Sequence, residues 1–306
     1  MSDAPALSTM WLQTRYDRVV DFACAARGIG FTRIELSHIL PAEAFDGFAP
    51  GAWDVATVHH PCPLPPTRVP LLSDLDPVRR AAAVAAGKMS IDTAVRFGAP
   101  AVVLHVGDLP ELEYWEDELR SRTLARQQAT AEYAAAVARF DRDRAAVKAP
   151  YLAASLASLQ ELAGYAGERG VRLGLETREF AREIPDIDDM AFLLDALPPN
   201  VGFWLDTGHV AVTARLGRPS MAAWLQRHGQ RLIGLHLHDT LGLRDHLIPG
   251  LGDIDFASLT PYLRDDVART CELDWFYTPA ELRAGVARLV QDGVCAPLSP
   301  PSSLTP

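Results

Sequence analysis

Cysteine is scarce and scattered: Cys24, Cys62, Cys271 and Cys295 are the four in 306 residues, and none forms a CxxC pair. That spacing counts against a structural zinc knot and reads as reduced thiols in a reducing compartment. Long apolar runs are missing as well. No stretch reaches the roughly 18 consecutive apolar residues that span a bilayer. The opening MSDAPALSTMWLQTRYDR lacks the basic region and apolar run of a signal peptide. A cytoplasmic protein without membrane contact is expected. Positive charge is in deficit, with 29 Lys and Arg against 39 Asp and Glu, a formal charge of −10 and a pI near 5.4. A nucleic-acid partner is therefore not expected, because a phosphate backbone calls for a basic face. No GxGxxG follows the first strand, so the alternative of an open doubly wound dinucleotide-binding sheet lacks its main support.

What the chain does contain is alternation. Hydrophobic residues make up 48 % and charged residues 22 %, and short β-like runs alternate with Ala/Leu/Arg-rich helical segments, the pattern of a parallel sheet or barrel. A weak first strand falls near 7–11. A helix over 16–27 stops at Gly28. FTRIEL (31–36) and WDVATVHHP (53–61) follow, then a helix from Ser73 or Asp74 to Gly98. AVVLHVG (101–107) is the fourth strand. The next stretch, Glu111–Val147, is too charged for a core-facing helix and reads as a helical excursion over the mouth or a homodimer surface. A helix over 151–169, VRLGLE (171–176), a helix over 186–197, VGFWLD (201–206), a helix over 220–228, LIGLHLH (232–238), VARTCEL (267–273) and a helix over 279–291 complete the set. Eight strand candidates fit one (β/α)8 TIM barrel over 1–295, and 296–306 reads as a disordered tail.

Four apolar strands end in a ligand-type side chain: Glu176, Asp206, His236 and Glu272. At the C-terminal rim of a barrel these would converge, and carboxylates so placed repel one another unless a cation sits between them. One divalent ion (Mn, Mg, Co or Zn) is the expected cofactor. Asp274 shares the parity of Glu272; Glu272 is favoured because it directly follows the apolar run. Trp275, Phe276 and Tyr277 then either wall the substrate or pack on the last helix. His59 and His105 end strands three and four and reach the same mouth, while His60 points away from His59. Glu35 either bonds substrate, orients His59 or forms an ion pair. Arg178 meets a substrate carboxylate or phosphate, or pairs with Glu179 or Asp206. Asp239 and Asp253 read as loop caps, and His38 and His228 as surface residues.

LDTGH (205–209), HLHD (236–239) and HLIPGLGDIDF (246–256) resemble the xylose isomerase-like barrels, a superfamily of sugar isomerases and epimerases, inosose dehydratases and endonuclease IV enzymes. The resemblance implies that Glu176, Asp206, His236 and Glu272 hold one metal ion. It also implies that Glu176 and Glu272 face opposite sides of the substrate as an acid/base pair, and that His209 contacts substrate. In endonuclease IV, positions matching His59 and His105 bind an additional zinc, and those matching His209 and His246 a third. Here Arg244 stands where that third site has its acidic ligand.

The leading expectation is a metal-dependent sugar or polyol isomerase or epimerase, with His59, His105, His209, His246, Arg178 and Trp275 binding substrate. A keto-polyol dehydratase would begin with the same proton abstraction. An endonuclease IV-like phosphodiesterase would need three ions, and a catalytically silent binding barrel would not need two opposed glutamates.

Overall fold

The computed structural model describes residues 4–300. Its first strand, β1 (Ala6–Ser8), is followed by α1 (Val19–Ile29), β2 (Arg33–Leu36), β3 (Asp54–His59), α2 (Pro77–Phe97) and β4 (Ala101–Leu104). Then come α3 (Glu113–Leu124), α4 (Ala131–Gly167), β5 (Arg172–Glu176), α5 (Ile187–Ala196) and β6 (Val201–Asp206). Next are α6 (Thr207–Arg215), α7 (Met221–His228), β7 (Leu232–Leu237), the hairpin β8 (Asp239–Leu241) and β9 (Arg244–Leu247), β10 (Ala268–Cys271) and α8 (Pro279–Gln291). Eight parallel strands close in the order β1-β10-β7-β6-β5-β4-β3-β2, a single (β/α)8 barrel. Among the described residues no helix is long and apolar enough to cross a membrane.

Most elements lie where the apolar pattern puts them, and the departures are local. The first helix runs on past Gly28 to Gly30, whose φ of 113° lets its N–H close on Ala26 and Arg27; a side chain would resist that left-handed turn. Helix α2 begins later than Ser73, because Asp76 caps it by accepting from the Val78 N–H at 2.8 Å, with Pro77 in the first turn. Pro150 does not divide the excursion from the following helix: α4 runs through it. Contacts on both sides hold its axis, Arg144 on Asp189 at 2.8 Å before the proline and the Ser158 hydroxyl on the Leu72 carbonyl at 2.8 Å after it. Two elements lie outside the apolar pattern of the sequence, α6 directly after β6 and the β8–β9 hairpin over the mouth.

The charged excursion has a definite task. Glu116 of α3 is buried and accepts from the Ala181 and Arg182 N–H groups at 3.0 Å each, clamping the loop after β5. Beyond α8, the chain returns to α1, where the Ser299 N–H donates to the Gly30 carbonyl at 3.1 Å. Residues 301–306 of the expected tail lie outside the described residues.

Inside the barrel, strand register stacks the layers. Trp204 pairs in register with Glu176 on one side and Gly234 on the other, and Asp206 pairs with His236. Side chains two residues apart share a face, so Trp204 lies one layer below Asp206. Its fully buried indole fills the interior above Gly174 and Gly234, where any Cβ would overlap the ring. The His236 imidazole meets that indole edge-on, with 5.1 Å between centroids. The tryptophan is the floor of the site.

Candidate functional site

His236 is the hub. Its Nδ1 lies 2.7 Å from Glu176 Oε1, 3.1 Å from Glu272 Oε2 and 3.7 Å from Asp206 Oδ2. Its Nε2 donates to Glu35 Oε2 at 3.1 Å, and the same oxygen accepts from the Thr57 hydroxyl at 2.7 Å. Glu35 thus orients His236 rather than His59. With Nε2 committed to Glu35, Nδ1 is the nitrogen that faces the three carboxylates, the arrangement in which a second carboxylate orients a histidine able to hold a metal. One ligand atom from each of Glu176, Asp206, His236 and Glu272 lies within 4.8 Å of the others, and all four residues are buried.

Burial opposes charge on every member, yet the mutual attractions win. The carboxylates of Glu272, Glu35 and Glu176 hold the His236 pKa well above its ordinary value. The adjacent His236 in turn holds the Glu176 and Glu272 carboxyls well below theirs. Glu176 Oε2 is buried without a hydrogen bond, although His105 Nε2 and His59 Nε2 approach to 2.7 and 3.2 Å. A bare carboxylate oxygen among three other ligating groups, with mixed oxygen and nitrogen donors, fits a divalent cation.

Around this centre lie the expected mouth residues. His59 donates from Nδ1 to the His60 carbonyl at 3.0 Å, which leaves Nε2 facing Glu176. Its pKa is raised, burial being outweighed by Glu176. His60 turns outward to the Ser90 hydroxyl at 3.0 Å. His105 accepts from the Arg178 guanidinium, and burial followed by that cation keeps it neutral, its pKa well below the ordinary value. Arg178 is anchored by Glu183 at 3.0 Å and stands 3.6 Å from Glu176 Oε2. Neither of its anticipated partners holds it, and Glu179 pairs with Arg120 at 3.1 Å instead. His209 contacts the Thr177 carbonyl through Nδ1 at 3.0 Å. His246 Nε2 lies 3.8 Å from Glu272 Oε2. Trp275 is 41 % exposed on the outgoing loop, edge-on to Phe276.

Arg244 leaves the site: it is exposed, lies over the Phe276 ring and reaches toward Asp274 at 4.0 Å. The next residue, Asp245, supplies the carboxylate, 3.7 Å from His209 Nε2 and 3.1 Å from His246 Nδ1. His246 has a φ of 53°, and that left-handed turn breaks the alternation on which spacing arguments rest. His38 is no surface residue. Its ring lies 4.8 Å from that of His59, and burial, then His59, push its pKa down to about 4. His38 is half-buried and His228 is buried, the latter with Nε2 2.9 Å from the Ile187 carbonyl. Asp239 does cap its loop, accepting from Gly250 and Gly252 N–H at 2.9 Å each. Asp253 instead pairs with Arg215. His238, unremarked in the sequence, touches Asp206.

A closed barrel with acidic and imidazole groups at its C-terminal mouth defines a class, and the chain matches the xylose isomerase-like TIM barrel family over residues 56–291. It belongs to that family. The uncharacterized protein y4fM of Sinorhizobium fredii (strain NBRC 101917 / NGR234) is 29 % identical over 215 residues, which cover 69 % of this chain and 58 % of that protein. An L-ribulose 3-epimerase superposes with a TM-score of 0.66 at 16 % identity, covering 96 % of each chain. The IOLI protein with a binding zinc atom gives 0.62 at 15 % identity, over 95 % of this chain and 96 % of that one. At such identities the likeness establishes the shared fold.

Proposed function

We propose that the protein is a divalent-metal-dependent isomerase or epimerase of a sugar or polyol. The observation that carries this reading is the convergence of Glu176, Asp206, His236 and Glu272 on one buried point. When bound there, a divalent ion would polarise a substrate carbonyl and stabilise the charge that develops as a neighbouring proton leaves. The residues supply the rest. Glu176 and Glu272 are held ionised, so either can accept a proton from the carbon beside the carbonyl. A proton returned by the other carboxylate from the opposite side inverts that carbon, and one returned to the adjacent carbon isomerises the sugar. Expulsion of a β-hydroxyl from the same enolate would give the dehydratase outcome. His59, His105, His209 and His246 would hydrogen-bond substrate hydroxyls, and Arg178 adds a fixed cation beside His105.

A phosphodiesterase that uses three zinc ions is the second reading, favoured by the Asp245 carboxylate beside His209 and His246. Against it stands Arg178, whose guanidinium occupies the His105 nitrogen and neighbours Glu176, where another cation would need to bind. Metal analysis with deuterium wash-in separates the two. One ion per chain and solvent deuterium entering a ketose beside its carbonyl supports the isomerase. Three ions, cleavage of abasic DNA and no exchange into any ketose would overturn it.

A further inference from the structure

Asp206 is held from two sides that do not belong to the four-residue cluster. As the cap of α6 it accepts from the His209 N–H through Oδ1 at 2.8 Å. His238 Nε2 lies 2.8 Å from that oxygen and 2.9 Å from Oδ2. The His246 backbone N–H points at His238 Nδ1 at 2.8 Å. A backbone amide only donates, so Nδ1 carries the lone pair and the ring proton sits on Nε2, where it donates to Asp206.

The ring cannot move away from this bond. His238 is fully buried, and its own backbone is tied to the Thr207 hydroxyl, which accepts its N–H at 3.1 Å and donates to its carbonyl at 2.7 Å. One face stacks on His246 with centroids 4.2 Å apart and planes 7° from parallel. Gly208 lies so close to the ring that a Cβ there would overlap it. His209, His238 and His246 resemble a three-histidine metal site in spacing alone, since both His238 nitrogens are already committed.

We propose that His238 is a positioning residue that fixes the Asp206 carboxylate for metal binding, with its tautomer set by the His246 amide of the mouth hairpin. This rests on the metal reading of the site above. The hairpin is thereby linked to the metal centre through hydrogen bonds: the His246 amide to His238, and His238 to Asp206. Losing such an outer partner typically weakens metal affinity about 10–100-fold.

The test is calorimetric titration of the full chain with Mn2+ and Zn2+, comparing wild type with His238→Leu and His238→Gln. Both replacements fill the space, and only Gln can donate to Asp206. Support is one ion per chain in all three, with affinity about 10–100-fold weaker in His238→Leu and largely restored in His238→Gln. Equal affinity in wild type and His238→Leu overturns the positioning role while leaving the metal reading intact. So does the loss of one whole ion per chain in either variant, since His238 would then be a ligand. A wild type that binds no ion overturns the metal reading and this proposal together.

Discussion

Asp245 sets its carboxylate 3.7 Å from His209 Nε2 and 3.1 Å from His246 Nδ1, while Arg244, one residue earlier, turns outward to lie over Phe276. The mouth of the barrel therefore keeps an acidic group among its histidines. Replacing Arg244 by Ala should leave metal content unchanged and activity within about 3-fold, since exposed ion pairs contribute little. Replacing Asp245 by Ala should raise KM by roughly 10-fold or more, the scale of a lost charged hydrogen bond. Steady-state kinetics with metal analysis checks both, and a large effect of Arg244→Ala would return that residue to the site.

Glu176→Gln and Glu272→Gln each keep the size of the side chain and remove its basicity. Each should lower kcat by about 100-fold to 10,000-fold while the far-UV circular dichroism stays that of wild type. Near-full turnover by either variant would remove that residue from the acid/base role.

Four buried carboxylates, Glu35, Glu176, Asp206 and Glu272, surround one imidazole. A bound cation offsets their repulsion, so adding it should stabilise the fold. Saturation at about 100 times Kd corresponds to about 2.7 kcal/mol. Thermal melts should shift down on chelation and recover when Mn2+ or Zn2+ is restored. Identical melts with and without chelator would contradict a cation at this centre.

Trp204 lies directly against Gly234. Gly234→Ala should force the indole out of place and destabilise the protein by up to about 3 kcal/mol. Because His236 rests edge-on against that ring, metal affinity should fall in parallel. Denaturant melts and titration of the same variant test the coupling.

His60 is buried and neutral, its pKa pushed down to about 3 by burial, then by His59 and His38. In the unfolded chain the ring takes up a proton near 6.5, whereas the folded protein resists it to about 3. The stability this lends is complete above pH 6.5 and is lost as pH falls toward 3. At pH 5 the loss from this group is about 2 kcal/mol. His60→Gln should flatten that part of the profile, measured as the difference in unfolding free energy between pH 7 and pH 5. An unchanged slope would mean that other histidines carry it.

The sequence by itself determined the barrel and the four side chains that converge at its centre. Period-two alternation fixes which residues point inward, and an apolar run ending in Glu, Asp or His carries its own address at the rim: Glu176, Asp206, His236 and Glu272 all arrive where their strands deliver them. Only the tertiary structure decided what surrounds them. Glu35 and His236 are 201 residues apart and meet because the barrel closes. His38 comes from a loop with no period to count. Asp245 rather than Arg244 faces His209 because the hairpin bends through a left-handed residue at His246, and no spacing rule survives such a turn. His238 reaches Asp206 because Gly208 leaves room and a backbone amide chooses its tautomer, contacts between segments that have no trace in either segment alone.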